Sequence, residues 1–193
     1  LSLRHNIECS MNTPKVIHWF RQDLRLSDNP ALFEAAKNSS ILPIYILDDI
    51  NSKELAMGEA SRFWLHHSLN SLNKSLDQNL SIYSGDPITV ILDIIDRLDI
   101  KEIFWNRCYE PWRINRDTHI KKELESKGIK VNTLNGSLLW EPWTIKKGDG
   151  TPYKVFTPYF RKGCLLSDEP RKPISTPINL DLFNDNNSLK DIN

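Results

Sequence analysis

Short apolar runs alternate with helical stretches along most of this chain, joined by links of a few residues, and this alternation limits the fold more than any other feature. Residues 16–20, 41–47, 80–83, 102–105 and 129–131 read as strands. They are rich in Ile, Leu, Val and aromatic residues and lack the in-out polar alternation of a half-exposed strand. Between them, residues 30–37, 59–76, 87–98 and 112–126 read as helices. Asn29 is a natural cap for the first, with Pro30 in its first turn, where a missing N–H costs nothing. In the second, Leu65, Leu69, Leu72 and Leu76 form one stripe, and in the third Ile88, Ile91, Ile94, Ile95 and Leu98 do the same. Gly128 ends the fourth. Pro43 sits awkwardly in the second strand, because it has no N–H for a ladder. Strands that alternate with helices build a parallel sheet covered on both faces. The expectation is therefore an α/β fold with a five-stranded parallel sheet. Ligands of such sheets bind beyond the carboxyl ends of the strands, where strand order reverses. The loops after Phe20, Leu47, Tyr83 and Trp105 are therefore the ones to inspect.

Length and charge narrow the class. The chain has 193 residues, suited to one domain plus ends. Residues 15–169 are expected to form the domain. Residues 1–14 are expected to be a disordered leader, with Met11 as natural initiator. Residues 170–193, with Pro170, Pro173, Pro177 and many Asn and Asp residues, are expected to be a linker or tail. Lys and Arg total 25 and Asp and Glu total 25, a balance that argues against a domain whose main work is gripping duplex phosphates. No apolar run reaches the roughly 18 residues of a membrane span. Cys9, Cys108 and Cys164 are odd in number and far apart, which fits neither a disulfide framework nor a zinc site and suits a reducing, cytoplasmic setting.

The first loop, residues 21–29, has no glycine, so the dinucleotide and P-loop fingerprints both fail there. Arg21, Asp23 and Arg25 form either an internal network that fixes the loop or a grip for an anion. The fourth loop, residues 106–113, offers Asn106, Tyr109 and Glu110 as donors and acceptors. Trp105 and Trp112 offer flat faces, enough to sandwich a planar ring and bond its edge. The competing view is that Glu110-Pro111 only starts the next helix. Arg62, early in the second helix, either turns toward the second-strand loop or faces solvent.

The stretch Trp19-Phe20-Arg21-Gln22-Asp23-Leu24-Arg25-Leu26-Ser27-Asp28-Asn29 resembles the WFRxDLRxxDN hallmark of the class I DNA photolyase/cryptochrome family. Leu47-Asp48, Glu110-Pro111 with Arg116-Asp117, and Pro152-Tyr153-Lys154-Val155-Phe156-Thr157-Pro158-Tyr159 agree with further family blocks in order and spacing. The resemblance implies the amino-terminal α/β domain of a two-domain protein, a Rossmann-like fold with its five parallel strands in the order 3-2-1-4-5. That domain carries an antenna chromophore of deazaflavin, flavin or folate type, while a carboxy-terminal helical domain binds FAD and the pyrimidine dimer in DNA. Candidate pigment contacts are Arg62, Asp48, Asn106, Tyr109 and Glu110. The folate-type Asn-Glu pair is replaced by Trp112 and Arg113, and the deazaflavin-type acid near Cys108 is missing, so the pigment stays open. By the same resemblance this chain lacks the FAD domain, reaches DNA only through it, and is inactive in repair alone. The aromatic patch at residues 153–160 is expected to dock that domain, or to drive self-association in its absence. A cryptochrome sensor domain and a stand-alone Rossmann-like nucleotide binder are the alternatives.

Overall fold

A computed structural model describes residues 13–187. Its five strands are β1 (Lys15–Phe20), β2 (Ser40–Leu47), β3 (Ser81–Ser84), β4 (Glu102–Asn106) and β5 (Lys130–Leu134). They form one parallel sheet, as the alternation predicts, in the order β3-β2-β1-β4-β5 that the family resemblance implies. Order reverses at β1, so the crevice beyond the ends of β1, β2 and β4 is where this topology places a ligand. The helices are α1 (Pro30–Ala35), α2 (Glu59–Ser75), α3 (Pro87–Leu98) and α4 (Pro111–Ser126).

Each face of the sheet buries one pair of helices. Ile17, Trp19, Leu42 and Ile44 pack with Ile91, Ile94 and Ile95 of α3 and Ile120 and Leu124 of α4. Val16, Phe20, Ile41 and Tyr45 pack with Ala31 and Leu32 of α1 and with the leucine stripe of α2. Each fully buried side chain of this size contributes roughly 1.5–3 kcal/mol, so the stripes read from sequence are what hold the layers together. Asn29 caps α1 by accepting from the Leu32 N–H at 3.1 Å. Gly128 closes α4 at φ +78°, with its N–H and that of Ile129 returning to Glu125 and Leu124.

Some boundaries move. The first helix ends at Ala35, short of residue 37, and β5 continues past Val131 through Asn132 and Thr133 to Leu134. The ladder to β4 runs on to Asn106↔Leu134, so backbone pairing carries the strand beyond its apolar start. Pro43 is accommodated by position. The Ile41 N–H and carbonyl bond to Asp181 and Phe183, and β3 begins pairing only at Ile44↔Ser81. Side alternation along a strand aims the Pro43 nitrogen into the gap between that segment and β3, where no acceptor waits.

Residues 170–187 lie against the domain. Arg171 and the Ile174 backbone engage Asp28, Leu182 bridges to Ile41, and Asp185 takes two bonds from Arg97 at 2.9 and 2.7 Å and one from the Tyr83 hydroxyl. Of the leader expected at residues 1–14, residues 1–12, including Met11 and Cys9, lie outside the described residues. Among the described residues no helix is long and apolar enough to cross a membrane.

Candidate functional site

The first and fourth loops meet at one end of the sheet. Arg21, at the end of β1, pairs with Asp117 of α4 and donates to the Asn106 carbonyl at the end of β4. Asp117 also binds Arg116 at 2.7 Å, and Arg116 reaches Asp48 beyond β2 at 2.9 Å. None of these four side chains is more than 14% exposed, so Arg21–Asp117–Arg116–Asp48 is a buried ionic chain that ties three strand ends to one helix. Other polar groups of the loop also turn inward, although Arg21 Nε has no partner. Asp23 accepts from the Arg21 N–H and from Asn106, and Arg25 donates to the carbonyls of Asp28 and Gly136. Of the two readings of this loop, the internal network is the one observed.

Above this chain lies a cavity of about 190 Å³, open on one side. Tyr45, Leu47, Leu55, Met57 and Leu65 form an apolar wall, and Trp19 and Trp112 line it as well. Gln22, Asp48, Asp49, Ser52, Arg113 and Arg116 supply polar groups. The guanidinium of Arg116 stands 5.1 Å from the Trp19 ring centre and 5.2 Å from that of Trp112. Arg21 sits 5.0 Å from Trp19 and Arg113 4.8 Å from Trp112. Four lining residues keep a buried polar atom without a hydrogen-bond partner: Trp19 Nε1, Arg21 Nε, Ser52 Oγ and Arg113 Nε. Buried polar atoms are normally paired, so such a cluster in one cavity wall is what a ligand with a polar edge would complete.

The predicted contacts distribute unevenly around this cavity. Asp48 lines it, fixed by Arg116 and by Asn51. Glu110 stands at its rim, accepting from Gln22, a lining residue, at 2.7 Å. Burial works against the Glu110 charge, but backbone N–H groups, Gln22 and Arg113 outweigh it and hold the carboxyl below the usual range. Arg62 does turn toward the second-strand loop. It binds Asp49 at 2.7 Å and the Met57 carbonyl at 3.0 Å, so it stands behind the lining and orients Asp49.

Asn106 and Tyr109 are not in this lining: Asn106 is taken up by the scaffold, and Tyr109 lines a second cavity of about 220 Å³ with Trp105, Cys108, Ile114 and Trp143. Asn106 is 2% exposed, donates to Asp23 and Asn29 and accepts from the Ala31 N–H, leaving nothing for a ligand. Tyr109 turns to the far side of α4, where its hydroxyl donates to Glu141 at 2.7 Å. Burial and that carboxylate push its pKa up to about 12. Trp105 borders that second cavity and not this one. It is packed edge-to-face against Trp19, and of the expected sandwich only Trp112 faces the first cavity. Sequence reasoning missed Trp19, Ser52 and Arg116 as lining residues. Arg116 had a signal: it lies four residues after Trp112, on the same face of α4. Ser52 had none.

The sequence model described as DNA photolyase matches residues 16–177. The chain belongs to the DNA photolyase family. It is 38% identical over 175 residues to a deoxyribodipyrimidine photo-lyase of Agrobacterium fabrum, covering 89% of this chain and 36% of that one. It is 39% identical over 156 residues to cryptochrome-2 of Arabidopsis thaliana, covering 78% and 25%. The crystal structure of a bacterial class III photolyase from Agrobacterium tumefaciens superposes with a TM-score of 0.82 at 37% identity, over 92% of this chain and 37% of that one. The chain thus spans about a quarter to a third of the length of these relatives, and its sheet is the amino-terminal α/β domain of photolyases and cryptochromes. In this photolyase-family domain the WFRxDLRxxDN residues build scaffold. Arg21 anchors α4, Asp23 and Asn29 cap and brace the loop, and the cavity opens beside them.

Proposed function

We propose that this is the antenna-chromophore domain of a photolyase-type protein and that the cavity beyond β1 and β2 holds a flat heteroaromatic pigment of deazaflavin, flavin or folate type. The observation that carries this is the junction of an aromatic and aliphatic wall with four unpartnered buried polar atoms at the switch point of the sheet. A bound pigment would supply absorption in the near ultraviolet or blue and pass the excitation on. The protein's part is to hold and orient it and to exclude water. Trp112 gives a ring to stack on, and Leu55, Met57 and Leu65 close the apolar side. Ser52 and Arg113 bond the polar edge, while Asp48 and Asp49 are held off it by Arg116 and Arg62.

The acceptor of that excitation belongs to a helical FAD domain, which also carries the route to DNA and the repair of pyrimidine dimers. The exposed Val155, Phe156 and Phe160 form the surface that docks it, and the same surface drives self-association when this chain is alone. Fluorescence titration with riboflavin and with 5,10-methenyltetrahydrofolate tests the site. At least one is expected to bind with micromolar affinity or better, and Trp112→Ala is expected to weaken that at least tenfold. Absence of binding by both, or binding indifferent to Trp112, refutes the assignment. Similarity to cryptochrome-2 keeps a sensor role as the second reading, and repair of a dimer by the longer protein separates the two.

A further inference from the structure

The cavity has a chemical problem for the role just proposed. Indole is a good one-electron donor to an excited heteroaromatic ring. An indole that gives up an electron quenches the excited ligand. The electron then returns, and the light energy is lost as heat. Two tryptophans, Trp19 and Trp112, line this cavity, and a third, Trp105, contacts Trp19 with ring centres 5.6 Å apart. Without countermeasures the site would extinguish what it is meant to transmit.

We infer that Arg21, Arg113 and Arg116 act as electrostatic guards that make these indoles poor electron donors. Each lining indole carries two guanidinium groups. Trp19 has Arg21 at 5.0 Å and Arg116 at 5.1 Å, and Trp112 has Arg113 at 4.8 Å and Arg116 at 5.2 Å. A cation near an indole ring stabilises the neutral ring through its quadrupole. It repels the positive charge that remains once an electron has left, and does so strongly where water is excluded. Arginine suits the task because it stays protonated at all relevant pH. The placement is built in: Arg116 is fixed by Asp48 and Asp117, and Arg21 by Asp117 and the Asn106 carbonyl. The carboxylates of Asp48 and Asp117 engage these cations through guanidinium N–H groups.

This role rests on the pigment assignment, so the experiment separates the two. Riboflavin is the probe. Equilibrium dialysis first establishes binding, and time-resolved fluorescence then gives the lifetime of the bound fraction. Bound riboflavin is expected to keep at least half of its free lifetime in the wild type. Arg116→Met and Arg113→Met, each at matched saturation, are expected to shorten it at least twofold, and adding Trp112→Phe is expected to restore it. A merely structural role for the arginines would not be undone by removing the donor indole. Arg116→Lys, which keeps a cation, is expected to fall between. If Arg116→Met fails to fold, Arg113→Met carries the test alone, because Arg113 lies outside the Arg21–Asp117–Arg116–Asp48 chain. Riboflavin that binds and is already quenched in the wild type, or whose lifetime ignores Arg113 and Arg116, overturns the guard role while leaving the pigment site intact. Riboflavin that does not bind, with 5,10-methenyltetrahydrofolate failing likewise, removes the site and the guard role together.

Discussion

His18 sits in the middle of β1 with no exposed surface, paired in register with Pro43 on one side and Phe104 on the other. Its ring stands edge-on to Phe20 at 4.4 Å, and neither ring nitrogen has a hydrogen-bond partner. Burial pulls its pKa from 6.5 down to about 4. The Asp23 carboxylate pulls the other way, and Arg21 adds to the lowering. The native state therefore holds a neutral imidazole that the unfolded chain would protonate below pH 6.5. The stability this contributes is complete above pH 6.5, falls as pH drops toward 4, and is gone below it. At about 1.4 kcal/mol per pH unit, the interval from 6.5 to about 4 corresponds to about 3 kcal/mol, a large share of a domain's net stability. Urea unfolding from pH 7.5 to pH 4.5 measures it, with His18→Leu as the control. Carboxylates titrate alike in both proteins, so the difference between the two curves isolates His18. The wild type is expected to lose most of that 3 kcal/mol relative to His18→Leu over this range. Parallel curves would refute a buried, neutral His18.

Other substitutions probe the remaining supports. Arg116→Gln leaves Asp48 buried with only Asn51 to donate to it, and urea unfolding is expected to show a loss of about 3 kcal/mol; a loss below about 1 would mean the ionic chain is not buried as described. Gly136→Ala would put a Cβ 2.5 Å from Asn106 Cγ and force that side chain off Asp23 and Asn29, lowering stability by about 1–3 kcal/mol in a thermal melt; an unchanged melt argues against so tight a contact. Asp185→Ala removes the bonds from Arg97 and Tyr83, at a cost of about 1 kcal/mol given the half-exposed Arg97. Limited proteolysis should then cut within residues 170–187 several times faster, and equal cutting would show that this clip does not hold the segment. Phe156→Ser breaks the Phe156–Phe160 stack, whose ring centres lie 5.7 Å apart, and is expected to reduce self-association in sedimentation velocity; an unchanged distribution clears the patch of that role.

What could be read from the amino acids alone divides along a physical line. A parallel sheet covered on both faces followed from local signals, because alternating strands and helices with short links leave few other layer arrangements, whereas the strand order followed from the family resemblance. The leucine stripe of α2 and the isoleucine stripe of α3 announced which side faces the sheet. The polar partners did not follow. Arg21 lies two residues from Asp23, yet its guanidinium goes to Asp117, 96 residues away, and only the backbone N–H of Arg21 goes to Asp23. Composition is silent on such choices, since every arginine has several carboxylates to which it could turn.

The same line explains the errors at the fourth loop. Asn106 and Trp105 have the chemistry of ligand contacts, and nothing local distinguishes that use from a structural one. Topology decides. Asn106 ends β4, next to β1, and the close approach of Gly136 presses it onto Asp23 and Asn29. Trp105, one residue earlier, points to the opposite face of the sheet, packs against Trp19 and borders the second cavity. The polar lining of the first cavity on this side comes from the next element. The first turn of α4 provides it, with Trp112, Arg113 and Arg116 at helical spacing. A strand end that closes the core and a helix start that opens the cavity are thus two halves of one constraint. The four-residue link between β4 and α4 lets the strand end and the helix start turn toward different cavities.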